Sequence, residues 1–495
     1  MSGLTTELPR HLYRAEGVRA LDRAAIQTHG IGGAVLMERA GNAAFEVLRQ
    51  RWPQAASIAV IAGTGNNGGD GFVLARLARR AGVAVEVRVV GDVQTVRGDA
   101  RTHLQRLEAE GVPALPWERG LAPRADVVVD ALLGTGLDRE VAGAHAEAIA
   151  AVNACRAPVL AIDIPSGLHA DTGQPLGAAI CAHATVTFIG LKQGLLTGAA
   201  PDHTGRLYFS DLGVPPQVYE AAPPSALRIA RAPLMPLLPR RRRTGHKGHY
   251  GHVLVIGGDA GYAGAVRLAG EAAARTGAGL VSIATRARHA AVIAAQCPVL
   301  MSHGVESPAE LEPLLARADA IAIGPGLGRS EWALRLLARV LEAKQPLVAD
   351  ADALNLLAME GCRRDDWILT PHPGEAARLL GASVALVQQD RYAAAARLQQ
   401  RYGGVCILKG AGTVLCSAEG LAVCAAGNPG MGSGGVGDVL TGVIAALLAQ
   451  GLGLQDAAQL GVCVHAEAGD RAAESGERGL IATDLMPWLR ALVNG

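Results

Sequence analysis

Short runs of Val, Ile and Ala alternate along the chain with longer Ala-, Leu- and Arg-rich segments whose apolar residues recur at helical spacing. Short apolar runs are typical of buried parallel strands, and the segments between them are typical of connecting helices. In the first half this pattern predicts helices over 16–28 and 33–50, followed by strands at 57–62, 83–90, 126–132, 158–163 and 184–189. The alternation predicts an α/β fold with a parallel sheet.

A second series begins at HVLVIGG (252–258). Its further strands are predicted at 279–284, 319–323, 346–349, 367–369, 404–408, 413–416 and 421–424, with closing helices near 435–450, 454–475 and 483–493. A chain of 495 residues is too long for one core, so each series is expected to form its own α/β domain.

A proline-rich passage separates the two series, with prolines at positions 215, 216, 223, 224, 233, 236 and 239. Proline is excluded from the interior of long helices and central strands. The boundary is therefore predicted near 220–232, with domains 1–222 and 223–495. The arginine run at 240–243 that follows has two interpretations: it contacts phosphate, or it forms a solvated edge of the linker.

Composition excludes several classes of function. Aromatic residues make up 3% of the chain and the net charge is +1, which argues against base-stacking platforms, nucleic-acid binding and anionic membranes. The N-terminus lacks the apolar core of a signal peptide, and no apolar stretch is long enough to span a membrane. The eight cysteines show neither a CxxC pair nor zinc spacing. A cytoplasmic protein with reduced thiols and small-molecule partners is expected.

The densest glycine segment, GNPGMGSGGVGD (427–438), leads directly into the apolar helix VLTGVIAALLAQG. Glycines expose consecutive N–H groups, and the helix N-terminus adds partial positive charge, so the turn is suited to hold an anion. Asp438 at its mouth supplies a base of the kind that phosphoryl transfer to a hydroxyl requires. The alternative is a glycine-rich loop in which Asp438 caps the helix.

Other polar loops of the second half also follow predicted strands. They are KGAGT (409–413), GPGLG (324–328), HPGE (372–375), and the acids Asp350 and Asp352. Taken singly, Asp352 could be an N-cap, His372 a turn residue and GPGLG a tight bend. Because all of them lie at strand ends, a shared cleft is the better prediction.

In the first half, GTGNNGGDG (63–71) follows strand 57–62 and leads into a helix predicted over 70–81. It satisfies GxGxxG, so a Rossmann dehydrogenase with Asp92 as its ribose acid stays open. Its two asparagines and aspartate, however, supply polar groups that would orient a polar ligand or a cation.

Two acids end later strands of this half: Asp130 precedes the turn GTGLDRE (134–140), and Asp163 precedes IPSG. Oxygen ligands from Asn67, Asp130 and Ser166 would suit a hard cation at the carboxyl edge of the sheet. Each acid could equally cap a helix or form a turn.

The motifs GNNGGDG, DALLGTGL and AIDIPSGL resemble the NAD(P)H-hydrate epimerase family over roughly 10–215. The resemblance implies a Rossmann-like three-layer α/β/α domain, with K⁺ held by Asn67, Asp130 and Ser166 and with Asp163 as the acid/base that exchanges configuration at the hydrated carbon. It places the hydrated nucleotide on Asn66, Asn67, Gly68, Gly69, Asp70, Gly134, Thr135, Gly136, Leu137, Asp138, Arg139, Glu140 and Asp163.

The motifs HKGHYGHVLVIGG, GPGLGR, DADALNLL, TPHPGE, LKGAGT and NPGMGSGGVGDVLTG resemble the ADP-dependent NAD(P)H-hydrate dehydratase family of the ribokinase-like superfamily over about 240–495. The resemblance implies a ribokinase-like α/β/α domain, with Mg²⁺ accompanying ADP. It places the adenine nucleotide on Lys409, Gly410, Ala411, Gly412, Thr413, Gly434, Gly435 and Gly437. It places the hydrate on Ala265, Gly326, Gly328, His372 and Asp438.

Together the two resemblances imply that the first domain epimerises hydrated NADH or NADPH and that the second dehydrates one epimer at the expense of ADP. They also imply a homo-oligomer. Val436 stands where many relatives carry a hydroxyl residue, and little loss is expected because the turn acts through backbone N–H groups. Two alternatives remain: the second half is a small-molecule or vitamin kinase, and the first is a non-catalytic binding module.

Overall fold

The chain divides between Arg228 and Ile229 into two units, Met1–Arg228 and Ile229–Gly495. The division falls within the proline-rich passage, a few residues after the predicted position at 222. The structure is a computed structural model that describes residues 4–120 and 122–494. Among these residues no helix combines the length and apolarity that a membrane crossing needs.

Strands and helices alternate through the first unit as the hydrophobic pattern predicts. Up to the boundary the elements are β1 (His11–Tyr13), α1 (Ala15–Arg23), α2 (Gly33–Arg51), β2 (Ser57–Ala62), α3 (Asn66–Arg80), β3 (Ala84–Val89), α4 (Gly98–Ala109), β4 (Ala114–Pro116), β5 (Val127–Ala131), α5 (Gly143–Ala154), β6 (Val159–Ile162), β7 (Ala184–Phe188), β8 (Leu191–Lys192), α6 (Pro201–Thr204), β9 (Arg206–Ser210) and β10 (Ala226–Ile229).

The main sheet of the first unit has the parallel order β4-β3-β2-β5-β6-β7-β9. The chain runs outward from β2 to one edge and then from β5 to the other, so a crevice opens at the carboxyl ends of β2 and β5. Val127 and Val129 belong to one apolar cluster and Val128 to another. Both faces of β5 are therefore covered, which explains its uninterrupted run of valines.

The second unit repeats this alternation. Its elements are α7 (Arg231–Leu234), β11 (His252–Ile256), α8 (Ala263–Thr276), β12 (Leu280–Thr285), α9 (Ala287–Gln296), β13 (Met301–Gly304), α10 (Pro308–Leu315), β14 (Ala320–Ile323), α11 (Glu331–Leu341), β15 (Leu347–Ala349), α12 (Ala351–Glu360), β16 (Trp367–Leu369), α13 (Pro373–Leu380), α14 (Val384–Gln389), α15 (Arg391–Tyr402), β17 (Val405–Leu408), β18 (Thr413–Ser417), β19 (Gly420–Cys424), α16 (Val436–Ala449), α17 (Leu454–Ala472) and α18 (Met486–Leu492).

The sheet of this unit has the order β13-β12-β11-β14-β15-β16-β17-β18-β19. It is parallel from β13 to β17 and antiparallel from there to β19. Helix α16 is buried along nearly its whole length and packs on α8 and on β11, β14 and β15. An apolar surface on all sides is what a helix at the centre of a core requires.

Several details differ from the sequence predictions, among them the short strands β1, β8 and β10, which were not predicted. Helix α3 begins at Asn66 rather than at residue 70, so residues 66–70 form its first turn. The helix predicted over 16–28 becomes π-helical from Ala24 to Thr28. The pattern also missed the edge strands β4, β9 and β13, because an edge strand is partly exposed and lacks a continuous apolar run.

Candidate functional sites

The first candidate site lies where α3 starts against the carboxyl ends of β2 and β5. The close approach requires glycine: a Cβ on Gly68 would lie 2.1 Å from the carbonyl oxygen of Gly63, and one on Gly71 would lie 2.6 Å from Ala131 Cβ. The glycines of this motif therefore let the first turn of α3 pack directly on the strand ends. The first N–H groups of a helix have no partner within it, so this turn is suited to bind an anion.

A cavity of about 580 Å³ opens above this turn. Most of the residues predicted to hold the hydrated nucleotide line it: Asn66, Asn67, Asp70, Gly134, Thr135, Gly136, Leu137, Asp138, Arg139 and Asp163. Gly68, Gly69 and Glu140 lie outside its lining. A Cβ on Gly69 would meet the Met37 sulfur at 2.4 Å, which shows that this glycine serves the packing of α3.

Asp163 is held in a left-handed backbone conformation, with φ at 67°. Such a conformation is costly for a residue other than glycine and often marks a functional position. Its Oδ2 accepts a hydrogen bond from Thr135 Oγ1 at 2.5 Å. Its Oδ1 accepts one from Lys192 Nζ. A carboxylate fixed at both oxygens therefore faces the cavity.

Two charged residues of this cavity, Lys192 and Asp22, were missed as site residues by the sequence analysis. Burial raises the pKa of Asp22 to about 6, against an opposing effect of Lys192. Burial, followed by the charges of Asp163 and Asp22, raises the pKa of Asp70 well above its ordinary value. The scarcity of lysine, which occurs four times in the chain, was the one available signal for Lys192.

The residues predicted to bind a cation lie together beside the cavity, which Asn67 also lines. Asp130 is fully buried; its Oδ1 accepts a 2.6 Å hydrogen bond from Ser166 Oγ and its Oδ2 accepts one from Ser166 N. Burial raises the pKa of Asp130 to about 6. Asn67 Nδ2 donates to the carbonyl of Leu133, whereas Asn67 Oδ1 is buried without a partner in the described chain. An unsatisfied buried oxygen beside a buried carboxylate suits a cation.

Asp92, the ribose acid of the dehydrogenase alternative, has a different role. Its Oδ1 accepts a hydrogen bond from Gln94 N, so it caps a short turn after β3, and it lies outside the cavity lining. Within residues 4–120 and 122–494, no group of three or more His, Cys, Asp or Glu side chains forms a metal centre. The Asn67, Asp130 and Ser166 set is of another kind, because two of its members are neutral oxygen donors.

The second candidate site is built around the start of α16. Gly435 is the N-cap, with φ at 89°, and Asp438 lies in the first turn of the helix rather than capping it. Burial, followed by the charge of Asp350, raises the pKa of Asp438 to about 7. Half of such carboxyls are ionised near neutral pH, where a general base is most effective.

Lys409 joins the KGAGT loop to this helix. Its Nζ lies 2.7 Å from Asp350 Oδ1, and Asp350 Oδ2 accepts a 2.7 Å hydrogen bond from Thr441 Oγ1 on α16. Burial would raise the pKa of Asp350, but the charge of Lys409 and these hydrogen bonds outweigh it and lower the pKa. A Cβ on Gly437 would lie 3.3 Å from Lys409 Nζ. Lys409, Asp350 and the glycine turn thus share one site.

Arg391 holds the KGAGT loop from beneath and was missed by the sequence analysis. It is 1% exposed, and its Nη2 donates to the carbonyls of Leu408, Lys409 and Gly412 at 3.1, 3.1 and 3.4 Å. Gly410 has φ at 135°, where a side chain would be strained and would meet the guanidinium. Gly410, Ala411, Gly412 and Thr413 therefore form a rigid turn that opens the strand β18.

His372 is the N-cap of α13, whereas its alternative interpretation was a turn residue. Its Nδ1 accepts from Gly374 N and Glu375 N, and the Glu375 carboxylate accepts in return from His372 N, which forms a capping box. Burial raises the pKa of Glu375 to about 7, and burial lowers that of His372. Glu375 Oε2 lies 3.9 Å from Lys409 Nζ, so this loop joins the same site.

The GPGLG turn contacts the start of α8. Gly326 has φ at 56°, and a Cβ there would lie 3.1 Å from that of Ala265. Gly328 N donates to Asp352 Oδ2 at 3.0 Å. Gly326 thus lies against Ala265, another residue predicted to contact the hydrate, and a tight bend is compatible with that role. A Cβ on Gly434, by contrast, would meet no described heavy atom within 4 Å.

The arginine run lies elsewhere in the second unit. Arg240, Arg241 and Arg242 line a separate cavity of about 1460 Å³ that shares no described lining residue with the strand-end loops. Arg241 packs over the Tyr250 ring at 3.8 Å and donates to Gly277 O and Gln450 Oε1. At least one arginine of the run therefore fastens the linker to its unit.

Comparisons with known proteins match both halves of the chain. A family model described as YjeF-related protein N-terminus matches residues 33–194, and one described as NAD(P)H-hydrate dehydratase matches 253–490. A ribokinase-like superfamily protein from Enterococcus faecalis V583 has a solved structure that superposes with a TM-score of 0.51 at 30% identity, covering 54% of this chain and 95% of that one. The second unit therefore has the ribokinase-like fold.

Curated relatives match nearly the whole chain. The bifunctional NAD(P)H-hydrate repair enzyme Nnr of Coxiella burnetii is 50% identical, covering 98% of this chain and 99% of its own. The enzyme of the same name from Escherichia coli is 44% identical, covering 98% and 95%. Identity of this extent across both units confirms the two resemblances drawn from the motifs: the chain belongs to the family of bifunctional NAD(P)H-hydrate repair enzymes.

Proposed function

We propose that this chain repairs hydrated NADH and NADPH: the first unit interconverts the R and S epimers, and the second dehydrates the S epimer while ADP is converted to AMP and phosphate. The observation that carries the proposal is the position of Asp438. Its carboxyl, with a pKa near 7, lies in the first turn of α16 beside the Lys409–Asp350 pair. A base and an anion-binding turn are thus combined at one helix end.

Dehydration follows from this arrangement. Asp438 removes the proton of the substrate hydroxyl, the oxygen attacks the terminal phosphoryl group of ADP, and AMP leaves. Phosphate then departs with the electron pair of the carbon–oxygen bond, and loss of a proton from the neighbouring carbon restores the ring double bond. The N–H groups of Gly434, Gly435 and Gly437 and the α16 dipole stabilise the charge that develops on the transferring group.

Asp163 would serve epimerisation as the acid/base at the hydrated carbon. It accepts the hydroxyl proton, the oxygen's electron pair forms a carbonyl, and the bond from that carbon to the ring nitrogen breaks. The nitrogen takes up a proton, and rotation about the adjacent carbon–carbon bond exposes the opposite face. Ring closure by the reverse steps yields the other epimer. The cavity position of Asp163 and its strained backbone support this role.

The ligand contacts of both sites follow the family assignment and the geometry above. The hydrate in the first unit would contact the residues that line its cavity, from Asn66 to Arg139, together with Asp163. Ala265, Gly326, Gly328 and His372 would hold it in the second. The adenine nucleotide would be held by Lys409, Gly410, Ala411, Gly412 and Thr413, a rigid loop at the end of β17.

Two ions fit the sites. Potassium would be held by Asn67, Asp130 and Ser166, and the buried Asn67 Oδ1 without a described partner supports this assignment. It would supply a fixed positive charge beside the substrate. Magnesium would accompany the phosphates of ADP and neutralise part of their charge.

All eight cysteines, each in the described part of the chain, are free thiols. This state supports the cytoplasm as the compartment in which the protein acts. Homo-oligomer formation stays a prediction.

The test uses the full chain, an R/S mixture of NADH hydrate, and ADP or ATP, with recovery of NADH absorbance as the signal. The wild type should convert the whole mixture. An Asp163→Ala variant should convert the S share quickly and the R share only at the uncatalysed epimerisation rate, and Asp438→Asn should convert neither. A stable phosphorylated product without recovery of absorbance would instead support the small-molecule kinase. Undiminished R conversion by Asp163→Ala would support a non-catalytic first unit.

A further inference from the structure

A buried lysine in the first unit has no role in the reaction as described so far. Lys192 closes the short strand β8 and is 1% exposed. Taking an ammonium group out of water is costly unless it is paired and hydrogen-bonded. A buried ion pair adds little stability by comparison with apolar packing, so its presence beside a ligand cavity points to function.

The contacts of Lys192 Nζ converge on Asp163. The ammonium donates to Asp163 Oδ1 and to Thr187 Oγ1 at 2.9 Å, and it lies 3.5 Å from the carbonyl of Phe188. Its three N–H groups are therefore directed to Asp163 and to Thr187 and Phe188, the last two residues of β7. Lys192 therefore acts on the substrate through Asp163, because its three N–H groups are already directed to protein oxygens.

We propose that Lys192 is a positioning residue for epimerisation, which keeps the Asp163 carboxylate charged and oriented toward the hydrated carbon. The inference rests on the proposed epimerase function. An opposite charge at hydrogen-bond distance favours the ionised form of a carboxyl group. Thr135 binds the second oxygen of the same carboxylate, so Lys192 and Thr135 together fix its plane.

Two further carboxyl groups lie close enough to interact with the Asp163–Lys192 pair. Asp22 on α1 and Asp70 on α3 interact with both Asp163 and Lys192, so three carboxyl groups share one ammonium. Burial raises the pKa of Asp70 well above its ordinary value and that of Asp22 to about 6. Of the three, Asp163 accepts a hydrogen bond from the Lys192 ammonium. The other charged or titratable groups lining the cavity are Arg19, Asp99, Asp138, Arg139 and His145.

The test follows conversion of purified R-NADPH hydrate to the S epimer by chiral separation, with the full chain and without ADP, so that dehydration is idle. The rate is measured from acidic to alkaline pH for the wild type and for the Lys192→Met, Lys192→Gln and Lys192→Arg variants. Lys344→Met, at an exposed position of the second unit, is the matched control. Far-UV circular dichroism and thermal melts of the full chain report whether the first unit of each variant is folded, and dehydration of the S epimer with ADP controls for the amount of active chain.

The two neutral variants should lose at least about tenfold in kcat at neutral pH. The acid limb of their pH–rate profile should move to higher pH, and the difference in kcat from the wild type should shrink as the pH rises. Lys192→Arg should recover much of the rate and keep the wild-type limb. A uniform loss at every pH, or a change in KM alone, would overturn the inference, since it would show a structural or substrate-binding role. If Lys192→Met does not fold, the result of Lys192→Gln decides. If neither neutral variant folds, Lys192→Arg decides: an acid limb shifted to higher pH in that variant would overturn the inference, because arginine keeps the positive charge.

Failure of the proposed function would look different. A wild-type chain that does not accelerate epimerisation would refute the epimerase assignment itself. A wild type that does, beside neutral variants with an unchanged pH profile, would refute only the role of Lys192.

Discussion

The Asp350 carboxylate lies 2.7 Å from the Lys409 ammonium, and 2% of its side chain is exposed. The pair joins two loops that are 59 residues apart in the chain. Because Thr441 on α16 binds the other oxygen of Asp350, the pair also sets the position of the glycine turn that precedes this helix.

Removal of one partner should therefore cost both stability and nucleotide binding. Lys409→Met would leave Asp350 charged and buried, and we expect about 3–5 kcal/mol of lost stability in the second unit. The double variant Lys409→Met/Asp350→Asn should recover most of this stability but not ADP affinity. Thermal melts and ADP titrations of the full chain check both outcomes. A double variant that binds ADP like the wild type would contradict the role of Lys409.

Asp438→Asn should fold and lose dehydration by about 10²- to 10⁴-fold, the range typical of a removed general base. The turn N–H groups remain, so ADP affinity should change little. Epimerisation by the first unit serves as the internal control. Dehydration at more than about a tenth of the wild-type rate would rule out Asp438 as the base.

The same group sets a pH dependence. Burial raises the pKa of Asp438 to about 7, so the ionised base forms as the pH rises, and kcat/KM for dehydration should increase through neutral pH and then level off. Glu375, with a pKa of about 7, titrates in the same range. If Asp438 controls this increase, a Glu375→Gln variant should still show kcat/KM rising through neutral pH. A flat profile in the wild type would exclude this assignment.

Stability should show the opposite trend. A carboxyl whose pKa is raised on folding stabilises the fold below its unfolded value of 3.8 and loses that contribution as the pH approaches 7. Asp438→Asn should therefore raise the melting temperature of the second unit by a few degrees at pH 8 and change it little at pH 4. Melting curves at the two pH values make the comparison, and an equal shift at both would contradict the linkage.

Potassium should be needed by the first unit alone. Exchange of K⁺ for Li⁺ should slow conversion of R hydrate to S hydrate, because Li⁺ is too small for the Asn67, Asp130 and Ser166 oxygens. Asp130→Asn should slow the reaction in K⁺ and remove its dependence on the cation. Equal epimerisation rates in the two salts would refute the site.

Two neighbouring glycines offer a matched stability test. A Cβ on Gly68 would overlap the carbonyl of Gly63 at 2.1 Å, whereas one on Gly65 would meet no described heavy atom within 4 Å. Gly68→Ala should cost more than about 2 kcal/mol in the first unit, and Gly65→Ala, at the N-cap of α3, should cost less than about 1 kcal/mol. Denaturant unfolding measures both values. Similar values for the two variants would show that α3 can move away from β2.

Residue types and local spacing were enough to predict most strands and the loops that follow them. The pattern of a strand followed by a glycine turn correctly placed most of these loops at strand ends, and the carboxyl ends of parallel strands share one edge. The family motifs are contiguous, so resemblance identified them without knowledge of the packing. The first turn of α3 was misplaced because glycine and asparagine signal a loop, whereas here they permit a helix to start against β2 and β5.

The residues that hold Asp163 and the KGAGT loop could be recognised only in the folded chain. Lys192 meets Asp163 across 29 residues, and Arg391 supports the KGAGT loop across 17 to 21, without any spacing that a helix or strand period would reveal. Whether a buried charge is paired depends on the convergence of distant strand ends, and so do the raised pKa values of Asp70 and Asp438. The types of chemical group at each candidate site could thus be predicted from single segments. The charge state and orientation of those groups depend on packing between segments, which only the tertiary structure decided.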